Sequence, residues 1–155
     1  MATEKSKYLY VACFLSPMEM DCIFSHVKGR RLDHIIENPH VTLSFQPIVS
    51  HQDLFGTGIR FDVIGYASDG RNEGVLVEPH DVCEDLQAIV AERATHHITL
   101  SLAEGEHAVK TSDLTFEPIN PFSIEGVYGA CTYGHDVILK PLSPEDCAPL
   151  NEPIC

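Results

Sequence analysis

A chain of 155 residues with 44% hydrophobic and 21% charged side chains has the composition of one globular domain, long enough to bury a core. Its 23 acidic residues outnumber 10 basic ones, a net charge of −13, which argues against gripping long duplex nucleic acid, where Lys and Arg must displace phosphate counterions. A small phosphate-containing ligand or the end of an RNA strand stays compatible with that charge, and no apolar run approaches the ~18 residues of a membrane span.

Lys7 to Leu15 reads as an opening strand. Lys5 and Lys7 before Leu9–Leu15 faintly mimic a signal peptide, but the run is short, lacks a small-residue cleavage site and leads into Met18-Glu19-Met20-Asp21. A cytoplasmic protein is therefore expected, and its six scattered cysteines, with no Cys-x-x-Cys pair, should be reduced thiols. Ser16-Pro17 supplies a cap and a first-turn proline for a helix over 17–28, ending at Gly29. Asn38-Pro39 forces an extended entry into a strand starting at His40. Strands at Ile59–Ala67 and Gly74–Val77 flank an Asp69-Gly70-Arg71-Asn72 turn. A helix over 81–93 then carries Val82, Leu86, Ile89 and Val90 on one face and leads into a strand starting at His97. Strands over 122–130 and 135–142 flank a Cys131–Gly134 turn, and the proline- and acid-rich tail of residues 143–155 reads as irregular. The expectation is a single α+β domain over 1–155 whose halves echo each other at an offset of 57 residues.

The echo centres on two hexapeptides, His40-Val41-Thr42-Leu43-Ser44-Phe45 and His97-Ile98-Thr99-Leu100-Ser101-Leu102. Alternation in a strand puts His40, Thr42 and Ser44 on one face and Val41, Leu43 and Phe45 on the other. The second copy divides the same way. A strand so patterned buries its apolar back and presents its His/Thr front to a cleft, and the two fronts are expected to face each other across it.

That pairing suits phosphodiester hydrolysis. A base must take a proton from water, an acid must give one to the departing oxygen, and donors must stabilise the charge on phosphorus. Histidine serves either proton transfer near neutral pH, and a Thr hydroxyl two residues on reaches the phosphate between the rings. Nothing in this chemistry requires a metal or a cofactor, and the other seven histidines show no metal-ligand spacing.

The paired His-x-Thr strands resemble the 2H phosphoesterase superfamily. That family includes bacterial RNA 2′,3′-cyclic phosphodiesterase-like proteins, the cyclic phosphodiesterase domain of fungal tRNA ligases, and phage enzymes that destroy cyclic oligonucleotide defence signals. The resemblance implies a bilobal, pseudo-twofold fold with antiparallel sheets around a central cleft, helices outside, and metal-free hydrolysis of a cyclic phosphodiester. By position, it assigns His40 and His97 as the acid/base pair and Thr42 and Thr99 as phosphate-binding hydroxyls, without saying which histidine is the base. Lys110 to Leu114 is similar to a segment that follows the second motif in some members, which makes Lys110 a candidate for binding phosphate. The preferred substrate is a cyclic mono- or oligonucleotide. The alternatives are the 2′,3′-cyclic phosphate at an RNA 3′ end, and a binding protein that keeps the cleft without turnover.

Aromatic residues complete the candidate site. Tyr8 and Tyr10 share a face of the opening strand and could stack a nucleobase, as could Tyr128 and Tyr133 on the last hairpin. His96 points away from the face of His97 and is expected outside the site.

Overall fold

A computed structural model describes residues 7–27 and 29–140, so the tail expected to be irregular lies outside the described residues. Strand β1 (Tyr10–Phe14) runs into Ser16, whose hydroxyl accepts from the Glu19 amide at 3.3 Å and caps helix α1 (Pro17–His26). A two-residue strand, β2 (His34–Ile35), precedes β3 (His40–Phe45). The hairpin of β4 (Gly58–Ser68) and β5 (Asn72–Asp81) turns where expected. The Asp69 carboxylate there accepts from the amides of Arg71 and Asn72, each at 2.8 Å, and Gly70 takes φ +84°. Helix α2 (Glu84–Val90), β6 (His96–Leu102), a 3₁₀ segment (Ala108–Asp113), β7 (Glu117–Cys131) and β8 (Val137–Ile138) follow.

Several expected boundaries move. Of the last strand, expected over 135–142, only Val137–Ile138 pairs among the described residues, and the two helices end at His26 and Val90, short of 28 and 93. The second helix starts three residues late because β5 continues through Pro79 to Asp81 along β4. Proline is tolerated there because β6 pairs with β5 only as far as His96, so that edge of β5 needs no amide donor. The penultimate strand starts at Glu117 rather than 122, held by the long β4. The opening strand begins at Tyr10, after a bent stretch at Lys7–Leu9.

β1 pairs with both β3 and β7, so the path β1-β3-β6-β5-β4-β7 returns on itself as a six-stranded antiparallel barrel. Closure removes the free strand edges that an open sheet exposes. β2 adds to β6 and β8 to β7. Val41, Leu43, Ile98 and Leu100 lie in the main core with Ile23 of α1 and Leu86 and Ile89 of α2, burying the first two apolar residues of each hexapeptide. The mixed α+β class and the antiparallel pairing agree with the sequence reading. The two His/Thr strands do not oppose each other across a gap, however. They are neighbours in one sheet, joined by the pairing of Val41 with Ile98.

Among the described residues no helix is long and apolar enough to cross a membrane. Cys13, Cys22, Cys83 and Cys131 are free thiols, and Cys147 and Cys155 lie outside the described residues.

Candidate active site

Val41 and Ile98 hold the same position in their respective hexapeptides, so a local pseudo-twofold axis passes between them. Continuing the antiparallel register sets His40 opposite Thr99 and Thr42 opposite His97, on one face. The two histidines are then diagonal neighbours, roughly 7–8 Å apart by ordinary sheet spacing, which leaves room for one phosphate. His40, Thr42, His97 and Thr99 all line a single cleft of about 290 Å³.

Each hexapeptide carries a bulge at its fourth residue. β1 skips Leu43, passing from Thr42 to Ser44, and β5 skips Leu100, passing from Thr99 to Ser101. An extra residue reverses the alternation beyond it. Ser44 and Ser101, expected on the His/Thr front, are buried instead, donating to Glu92 at 3.0 Å and Glu73 at 2.7 Å. Phe45, expected in the apolar back, swings into the cleft lining and stays 59% exposed. Local patterning cannot reveal a bulge, because a bulge is a mismatch between two paired strands.

The two imidazoles are fixed differently. Asn38, in the left-handed region at φ 51°, offers its carbonyl to the Nδ1–H of His40 at 2.8 Å, which leaves Nε2 for the cleft. The His40 ring stacks on Tyr10, with centroids 4.8 Å apart, and tilts against Phe14 at 5.4 Å. Burial holds its pKa below the usual histidine range, the Asn38 bond opposing this. His97 is pushed down to about 4 by burial first, then by the Arg93 guanidinium and the neighbouring rings of His40 and His96. The His97 ring is therefore neutral at pH 7.

The threonines differ too. The Thr42 hydroxyl makes no hydrogen bond among the described residues, and the side chain is half-buried at the cleft wall. Thr99 is buried, its hydroxyl 2.8 Å from that of Thr111 in the 3₁₀ segment. The Asn72 side chain donates to the Thr111 oxygen at 3.1 Å. Thr99 is the donor in its bond to Thr111, with the Ala108 carbonyl 3.5 Å away as a second acceptor, so its hydroxyl proton must rotate to meet an anion in the cleft. Gly74, paired with Thr99, makes the approach feasible, since a Cβ there would stand 2.5 Å from Thr111 Cγ2 and 2.8 Å from the Ile98 carbonyl.

The remaining candidates separate. Tyr10 lines the cleft as expected. Tyr8 does not share its face, because the bent stretch before β1 turns it into the core. There it meets Phe55 edge-on at 5.5 Å and donates to Gln52 at 3.2 Å. Tyr128 is sealed in the core, donating to the Ser50 carbonyl at 2.5 Å. Tyr133 is exposed on the turn between β7 and β8, outside the cleft lining. Lys110 is exposed on the 3₁₀ segment whose Ala108, Val109 and Ser112 line the cleft, but its own side chain is not part of that lining. His96 lies on the opposite face as expected, its Nε2 2.9 Å from the Val90 carbonyl.

Arg93 is a charged lining residue that sequence reasoning missed, as it missed Ile36. It stands four residues before His97, as Ile36 stands four before His40, and both line the cleft. The guanidinium gives the lining a cation, and Ile36 adds to its apolar surface. In comparisons with known proteins, the chain matches no family model and no curated sequence.

Proposed function

We propose that this chain is a metal-independent phosphodiesterase of the 2H type that opens a cyclic nucleotide phosphodiester. The observation that supports it most is the convergence of His40, Thr42, His97 and Thr99 on one cleft with Arg93 at its wall. In this reading the two lobes of a 2H-like arrangement are the halves related by the Val41/Ile98 axis.

The non-bridging oxygens of the phosphate accept from Arg93, Thr42 and Thr99, where charge develops in the transition state. His97, neutral at rest, takes a proton from the attacking water as its oxygen bonds to phosphorus. His40 becomes protonated when the anion binds, because a phosphate beside the ring favours imidazolium. It then gives that proton to the ribose oxygen as the P–O bond breaks, leaving a phosphomonoester and a free hydroxyl. Exchange with solvent restores both rings.

The test is turnover of a 2′,3′-cyclic mononucleotide and a cyclic dinucleotide in excess chelator. Wild type should turn over at least one of them, and His40→Ala and His97→Ala should each lower kcat by ~10²–10⁴-fold. Loss of activity on chelation, or full activity in both variants, refutes the proposal. Calorimetric binding without turnover would mark a binding protein instead.

A further inference from the structure

Beside the cleft lies a larger groove of about 730 Å³, along the end of β5 and the turn after α2. The reaction above does not use it. Arg93 belongs to both linings, so one guanidinium stands at the junction. Leu76, paired with His97, carries the same sheet face from the cleft into the groove. Small-molecule sites usually span about 300–1,000 Å³. The cleft, at about 290 Å³, fits a phosphate and part of its ribose, and the groove has room for a further nucleoside.

The groove's chemistry is that of a neutral, hydrogen-bonding guest. Glu78 and Asp81 on its wall would repel a second phosphate, but they accept from ribose hydroxyls and base N–H groups. Gln87 offers both a donor and an acceptor, and Ile64 and Leu76 give an apolar surface for a ring. His80 is held in place. Its Nδ1–H donates to Asp62 at 2.9 Å, and the other Asp62 oxygen accepts from the Ser123 hydroxyl at 2.9 Å. One cation at the mouth and carboxylates beyond it match one phosphate followed by one nucleoside.

We infer that this groove is a second nucleoside subsite, so that the preferred substrate carries at least two nucleotides. The reacting phosphate sits between the histidines against Arg93, and the adjoining nucleoside lies in the groove. The inference rests on the phosphodiesterase reading. Both a cyclic dinucleotide and a dinucleotide ending in a 2′,3′-cyclic phosphate present this chemistry, and assaying each separately distinguishes them.

The experiment compares kcat/KM for uridine 2′,3′-cyclic phosphate with that for each two-nucleotide substrate. It uses wild type and two groove-filling variants at exposed wall positions, Ala94→Trp and Ala91→Trp. At least one two-nucleotide substrate should exceed the mononucleotide by about tenfold or more. The tryptophans should erase that advantage while mononucleotide turnover, which reports an intact fold, stays within about twofold. Equal rates for all three substrates, with turnover still abolished by His97→Ala, overturn the subsite alone. An advantage that survives both tryptophans does the same. No turnover of any substrate overturns the phosphodiesterase reading, and the subsite with it.

Discussion

Acidifying the solution should destabilise this protein through His97 before it protonates most carboxylates. Burial and the Arg93 charge lower the ring from 6.5 to about 4 in the folded state, and unfolding returns it to its ordinary value. As pH falls, the unfolded chain therefore binds this proton first, and the folded state loses stability from about pH 6.5 down to about pH 4, below which the loss is complete. The gap of about 2.5 pH units between 6.5 and 4, at about 1.36 kcal/mol each, makes the full loss about 3 kcal/mol, of which about 2.5 is felt by pH 4.5. Urea melts of wild type and His97→Gln near neutrality and near pH 4.5 read this contribution together with its coupling to the neighbouring rings of His40 and His96. The stability lost between the two conditions should be about 2–3 kcal/mol smaller in the variant. NMR titration of the His97 ring supplies the midpoint directly, and inorganic phosphate should raise it by placing negative charge between the imidazoles. A midpoint at or above the ordinary histidine value, or identical pH dependence in the two proteins, would refute the assignment of His97 as a neutral resting base.

Other perturbations follow from the same site and its support. Replacing Thr111 with Val removes the hydroxyl that bridges Asn72 and Thr99 and should lower kcat about tenfold with little change in KM, while Thr111→Ser restores it. Gly74→Ala should cost about 1–3 kcal/mol in thermal melts, because the added methyl meets Thr111 and the backbone carbonyl of Ile98, which cannot move aside. Glu73 is fully buried and paired with Arg31, with hydroxyl donors from Tyr66 at 2.6 Å and Ser101 at 2.7 Å. Arg31→Met should therefore destabilise by about 3–5 kcal/mol in denaturant melts by leaving that carboxylate without its cation, and wild-type stability in this variant would show that the pair contributes nothing. Burial first, and then the same carboxylate, hold the Tyr66 hydroxyl up to about 12, and Arg31→Met should raise it further, read by ultraviolet titration.

Part of this molecule was open to reading along the chain. The Ser16-Pro17 helix start, the Asp69-Gly70 turn and the His/Thr faces of two strands depend on neighbours a few residues away. The aromatic residues resisted. Tyr8 and Tyr10 alternate correctly for a shared face, yet the bend before β1 sends one into the core and the other onto His40. Tyr128 looked like a candidate for stacking a base, but the closed barrel seals it in the core.

By itself the sequence determined an α+β chain with two amphipathic strands whose histidine and threonine share a side, because side-chain alternation is a property of one strand. Only the tertiary structure decided that these strands lie side by side, that Phe45 turns toward the cleft past a bulge while Ser44 and Ser101 turn away, and that Arg93 joins the cleft lining. Each of those outcomes depends on pairing between segments far apart in the chain, and register between distant strands is written in neither one alone.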